Sequence, residues 1–139
     1  MFTNTLSRWI LLQNTKRKSF REIWYIYFNL LAYYNDIIVG GISWKYDIYL
    51  GDRVIYIMTI TVFDQYRRYQ IGSQLLQELI RIHKNIKEIK YINLHVQISN
   101  VAAKNFYVKN GFDMVKIVEN YYTDIEPKEA FYLRLKTQD

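Results

Sequence analysis

The chain contains no cysteine, a single proline and only five glycines among 139 residues. Without cysteine there is no disulfide, no thiolate metal site and no cysteine nucleophile, and a reducing compartment is permitted. With Pro127 alone and glycines so few, no linker can be drawn, and neither an internal repeat nor a low-complexity segment occurs. Long apolar runs are missing as well. Stretches such as residues 55–60 are far too short to span a bilayer. The opening MFTNTLSRWILLQN has a brief apolar centre but no preceding basic region and no small-residue cleavage site, so it reads as structure rather than a signal peptide. Acidic residues are in short supply, 13 against 19 Lys and Arg, which leaves a net charge of +6. Such a surface can attract nucleic acid, an anionic membrane or a phosphorylated small molecule, or can simply be solvated.

What is present is a globular composition, half hydrophobic and 17% aromatic. The length fits one domain over residues 1–139. Residues 5–14 and 19–28 are read as two short helices, with Lys16-Arg17-Lys18 exposed between them. From Leu30 the period changes. Asn35-Asp36 and Gly51-Asp52 are turn signals between apolar runs, and residues 30–34, 37–46 and 53–63 form a three-strand antiparallel meander. Gly40-Gly41 inside the second run predicts a bulge or a close backbone approach.

A helix follows. Ile71, Leu75, Leu79, Ile82 and Ile86 recur at spacings of three and four and make one buried stripe. Residues 91–99 then alternate: Ile92, Leu94, Val96 and Ile98 face one way, Asn93, His95 and Gln97 the other. Strand, helix, strand implies a right-handed crossover and a parallel pair. Asn100 can cap a short helix that Gly111 ends in the left-handed conformation. Residues 112–118 and 130–135 are the last strands, joined by an aromatic loop at 120–127.

Two features carry chemistry. The turn YRRYQIGS presents converging backbone N–H groups at a helix N-terminus from Arg68 to Ser73. Gly72 allows close approach, and Arg67 and Arg68 add charge; this is what a pyrophosphate requires. It could equally be a solvated helix start. Its position beside a crossover favours a ligand, since open parallel sheets bind ligands there. The second feature is His95, aimed at a cleft or at water from the polar face of its strand. His83, at the end of the long helix, reads as an exposed group favourable only to the helix dipole.

Strand–RRxxIG–helix–strand followed by SNxxAxxFYxxxGF resembles the GNAT family of acyl-CoA-dependent N-acetyltransferases. YIMT (Tyr56–Thr59), LHVQISN (Leu94–Asn100), NYY (Asn120–Tyr122) and IEP (Ile125–Pro127) are similar to the catalytic subunits of NatE-type N-terminal acetyltransferases. The resemblance implies an α/β GNAT fold: a mixed, mostly antiparallel sheet splayed at a central parallel pair, with helices on both faces. It implies acetyl-CoA as co-substrate, no metal, and acetyl transfer to the α-amine of a protein N-terminus, Met followed by an apolar residue. With no cysteine for an acyl-enzyme, direct attack by the amine is the simplest route. His95 and Tyr56 match the catalytic pair. Arg67, Arg68, Gln70, Ile71, Gly72 and Ser73 match the pyrophosphate turn, Asn100 and Tyr107 the CoA arm, and Ile60, Thr61 and Val62 the strand that pairs with pantetheine. Tyr121, Tyr122 and Ile125 match the wall of the acceptor groove. Protein N-termini, the NatA complex and the ribosome are the implied partners and the cytoplasm, with the nucleus as an alternative, the implied site, with no nucleic acid or membrane partner. Lysine acetylation and a non-catalytic subunit are the competing readings. Two departures motivate the latter. Gln70 stands where the family has a phosphate-loop glycine. The N-terminal part lacks the family's acceptor-gripping Phe-Pro-Val string and reads as divergent or truncated.

Overall fold

The computed structural model describes residues 8–18 and 24–138. Its strands are β1 (Arg8–Lys18), β2 (Trp24–Tyr34), β3 (Ile37–Tyr49), β4 (Asp52–Val62), β5 (Ile89–Gln97), β6 (Asp113–Val118) and β7 (Ala130–Lys136). The helices are α1 (Ile71–His83), preceded by a 3-10 turn at Asp64–Tyr69, and α2 (Val101–Lys109). One seven-stranded sheet runs β1-β2-β3-β4-β5-β7-β6.

The two hairpins turn as their sequences allow. Asn35 and Asp36 have φ of 45° and 66°, and Leu50 and Gly51 have 50° and 85°. Two successive positive φ values give the tight turn whose twist matches antiparallel strands. The second turn is therefore Leu50-Gly51, one residue earlier than Gly51-Asp52, and Asp52 already opens β4. Gly40 is a close-approach glycine: a Cβ there would lie 2.8 Å from the Thr61 carbonyl oxygen of β4.

The helices expected near the N-terminus are strands where the structure describes them, β1 within 8–18 and β2 from Trp24. Residues 19–23 lie outside the described part. The run Trp24-Tyr25-Ile26-Tyr27-Phe28 is aromatic and β-branched, a composition that suits a pleated surface. Pairing with β1 supplies its backbone partners, and β3 takes over the other edge from Phe28 onward.

Leu30, Ala32, Ile42, Trp44, Ile55, Ile57, Ile92 and Leu94 form a buried cluster with Leu75, Leu76 and Leu79 of α1 and Tyr107 of α2. Where helices were expected on both faces, the described residues place both on one. The chain goes from β4 through α1 to parallel β5, then through α2 to β6, which is again parallel to β5 because β7 runs antiparallel to both. Two right-handed crossovers advancing in the same direction must lie on the same side. The α1 stripe also shifts. Leu76 and His83 are buried and Ile82 only half-buried, because the helix stops at His83 and Ile86 lies beyond it.

The central parallel pair is short. β4 and β5 pair only from Arg53 and Ile89 to Tyr56 and Asn93. In the β3–β4 ladder Trp44 pairs with Ile57 and Ser43 with Thr59, so Met58 is an extra residue in β4. A bulge bends and twists its strand. Beyond it, β4 and β5 separate.

α2 ends as Gly111 predicts. Its φ is +94°, the Gly111 N–H reaches the Val108 carbonyl at 3.0 Å and the Phe112 N–H reaches Tyr107 at 3.0 Å. This doubly bonded terminus is sealed by ring contact between Tyr107 and Phe112 at 5.3 Å.

Candidate active site

The separation of β4 from β5 leaves a cavity of about 820 Å³. Ile57 to Val62 line one wall and Leu94 to Gln97 the other. Arg67, Gln70, Gly72, Ser73, Asn100, Phe106 and Tyr107 close its wide end. Ile60, Thr61 and Val62 line it from a strand edge that β5 has left. Its volume falls within the usual range for small-molecule sites.

The wide end is built by the start of α1. Its first helical hydrogen bond runs from the Gln74 N–H to the Gln70 carbonyl at 3.0 Å. The amides of Ile71, Gly72 and Ser73 precede that bond and lack helical acceptors. Ile71 turns its side chain into the core, so only its backbone can meet a ligand. A Cβ on Gly72 would touch the Phe106 ring at 3.4 Å, which brings α1 and α2 together at this point. Gln70 has φ 57° and ψ 28°, the left-handed conformation a glycine adopts freely. A glutamine where the family resemblance implies a glycine thus keeps the left-handed turn. Arg67 is engaged locally: Nε donates to the Val62 carbonyl at 3.2 Å and Nη2 lies 2.9 Å from Asp64. The Arg68 side chain lies outside the described part.

Asn100 caps α2, its Oδ1 accepting from the Ala103 N–H at 3.1 Å. Tyr107 is buried, and burial pushes its hydroxyl up to about 12.

At the narrow end, Tyr56 and His95 meet. The Tyr56 hydroxyl lies 2.9 Å from His95 Nδ1 and 2.8 Å from the Tyr121 hydroxyl. Tyr121 also stacks on the imidazole, with centroids 4.1 Å apart and planes 11° from parallel. Burial lowers His95 to about 4, helped by the positive charge of Lys116. Strand register explains Lys116: it pairs with Tyr132, which pairs with His95, in one row across the sheet. Burial raises Tyr56 far above its usual range, and the Tyr121 and Tyr122 phenols raise it further. At neutral pH both groups are uncharged. One proton then occupies each contact of the Tyr121–Tyr56–His95 chain, and the chain can take up a proton at one end while releasing one at the other.

Tyr122 lines the cavity wall, edge-on to Tyr121 at 4.9 Å. Ile125 is exposed on the same loop. Sequence reading missed several partners. Asn93, expected on the open polar face, is 1% exposed. His83, expected at an exposed helix end, is 1% exposed: Nδ1 lies 2.8 Å from the Leu79 carbonyl and Nε2 2.9 Å from the Tyr46 hydroxyl. Its ring meets Trp44 edge-on, and burial lowers its pKa. The direct contact of Tyr121 with Tyr56 spans 65 residues and has no local signal.

The chain belongs to the acetyltransferase (GNAT) family, whose profile matches residues 4–112. Over 104 residues it is 40% identical to N-alpha-acetyltransferase 50 of Danio rerio, covering 75% of this chain and 62% of that protein. It is also 40% identical over 104 residues to the probable N-acetyltransferase san of Drosophila melanogaster, covering 75% and 56%. The chain thus spans less than two thirds of the length of these curated relatives. Among solved structures, Arabidopsis thaliana Naa50 in complex with the bisubstrate analogue CoA-Ac-MVNAL matches with a TM-score of 0.69 and 38% identity, covering 77% of this chain and 71% of that one.

Proposed function

We propose that this protein is an N-terminal acetyltransferase, moving acetyl from acetyl-CoA to the α-amine of a protein N-terminus. The observation that carries the reading is the Tyr56–His95 contact at 2.9 Å, set at the narrow end of a cofactor-sized gap. When bound, acetyl-CoA supplies the acetyl group as a thioester. The residues present fit it. The amides of Ile71, Gly72 and Ser73 at the wide end suit its pyrophosphate, with Arg67 and the left-handed Gln70 beside them. Asn100 and Tyr107 line the CoA arm, and the unpaired edge of Ile60–Val62 suits pantetheine. A peptide N–H of β4 beside the bulge at Met58 would polarise the thioester carbonyl.

The acceptor amine is mostly protonated at neutral pH and must lose a proton before it can attack. Neutral His95, with Tyr56 and Tyr121, provides the route for that proton. Tyr121, Tyr122 and Ile125 wall an aromatic groove that suits Met followed by an apolar residue. The Met-Val start of the peptide carried by the Arabidopsis relative's ligand supports that choice. Association with a NatA complex at the ribosome, in the cytoplasm, belongs to the same reading. The net charge of +6 would favour it.

The test is acetyl transfer to a Met-Leu peptide, run beside a lysine-containing peptide with a blocked N-terminus. Thermal stabilisation by acetyl-CoA is recorded in parallel. Transfer to the free α-amine is expected. Faster transfer to lysine would replace the reading with lysine acetylation. Tight acetyl-CoA binding without transfer would make the chain a non-catalytic subunit.

A further inference from the structure

Gln97, the last residue of β5, stands between the two halves of the site. The residue lines the cavity, and its side-chain Nε2 donates to the Pro127 carbonyl oxygen at 2.9 Å. Pro127 belongs to the loop joining β6 to β7. That loop is closed at its base by the Tyr122 N–H on the Lys128 carbonyl at 3.0 Å and by the Ile98 N–H on the Glu129 carbonyl at 3.1 Å. From it, two adjacent tyrosines face different ways. Tyr122 lines the cavity, while Tyr121 stacks on His95 and bonds Tyr56.

We infer that Gln97 is a positioning residue for the acceptor side of the site. By holding Pro127 it keeps the loop where Tyr121 meets Tyr56 and His95, and it ties that placement to occupancy of the cavity that Gln97 and Tyr122 line. A carbonyl oxygen can only accept, so the amide N–H₂ of Gln97 is the part that matters. The inference rests on the reading of the cavity as the acetyl-CoA site.

Gln97→Met keeps length and bulk and removes the donor. Gln97→Glu replaces the donor with a carboxylate facing the Pro127 carbonyl and is expected to act more strongly. One arm of the experiment needs no turnover: hydrogen–deuterium exchange of the amides in residues 119–129, with and without acetyl-CoA. In the natural protein acetyl-CoA should slow exchange in this loop. In Gln97→Met the loop should exchange about tenfold faster, the worth of one neutral hydrogen bond, while amides of α1 and β7 keep their rates. The second arm is steady-state kinetics. The KM for the acceptor peptide should rise about tenfold, more than acetyl-CoA affinity falls.

Loop exchange identical to that of the natural protein would overturn the inference. So would faster exchange throughout the chain, which would make Gln97 a general stabilising residue, or a fall in kcat at unchanged acceptor KM. If the natural protein binds acetyl-CoA but transfers nothing, the proposed activity fails on its own. The exchange arm still decides the role of Gln97.

Discussion

Gln70 offers a sharp test of how the cofactor turn is built. It holds φ 57° and ψ 28°, and its side chain forms no capping hydrogen bond. An L-residue in this conformation costs roughly 1–2 kcal/mol, because Cβ crowds the following carbonyl. Glycine removes that crowding but loses more freedom on folding, by roughly 0.5–1 kcal/mol. Gln70→Gly should therefore stabilise the protein by about 0.5–1 kcal/mol, raising Tm by roughly 2–5 °C for a chain of this size. The same change clears side-chain atoms from the cavity edge and keeps the peptide N–H. The Tm rise produced by a fixed acetyl-CoA concentration should grow, since ligand stabilisation follows the ratio of concentration to Kd. Thermal melts with and without acetyl-CoA measure both effects. Gln70→Ala is the control: it retains Cβ at the same φ and should give no comparable gain. A lower Tm for the glycine variant, or equal gains from alanine and glycine, would show that backbone crowding at Gln70 is not the relevant cost.

Other outcomes can be checked with the same preparations. His95→Ala should keep the Tm rise with acetyl-CoA and lose about 10²–10⁴-fold in acetyl transfer; transfer at the natural rate would remove His95 from the proton route. Stability should fall as pH drops from about 6.5 toward 4. Burial holds His95 near 4 and His83 below its ordinary value, so in this window the unfolded chain binds protons that the folded one refuses. His95→Ala should flatten part of that slope in urea titrations, and greater stability at pH 5 than at pH 7 would contradict the assignment. Asn100→Ala removes the α2 cap and should cost about 1 kcal/mol, read as a lower denaturation midpoint; an unchanged midpoint would mean that water replaces the cap.

Local rules recovered much of this architecture. Period-two alternation placed β5 and turned His95 away from Leu94 and Val96. The three-and-four spacing placed α1, and Asn100 and Gly111 bracketed α2. Each of these depends on neighbours within one or two turns of chain, where backbone geometry and hydrogen-bond demand act directly. The N-terminal strands were harder to read. Apolar residues bunched at 9–12 show neither period cleanly, and pairing in register along β2 settles the matter.

Alternation says which face a side chain takes but not what covers that face. Asn93 shares its strand face with half-buried His95, yet it is sealed, paired between Tyr56 of β4 and Arg134 of β7. His83 ends a helix and is buried all the same, because Tyr46 and Trp44 from β3 close over it. The chain from Tyr121 through Tyr56 to His95 joins three distant segments. Its distances, and the lowered pKa of His95, follow from strand order and from the bulge that opens β4 away from β5. Residue types and spacings encode local conformation and the identity of reactive groups; proximity and desolvation arise only when separate elements pack, since both depend on atoms far away along the chain.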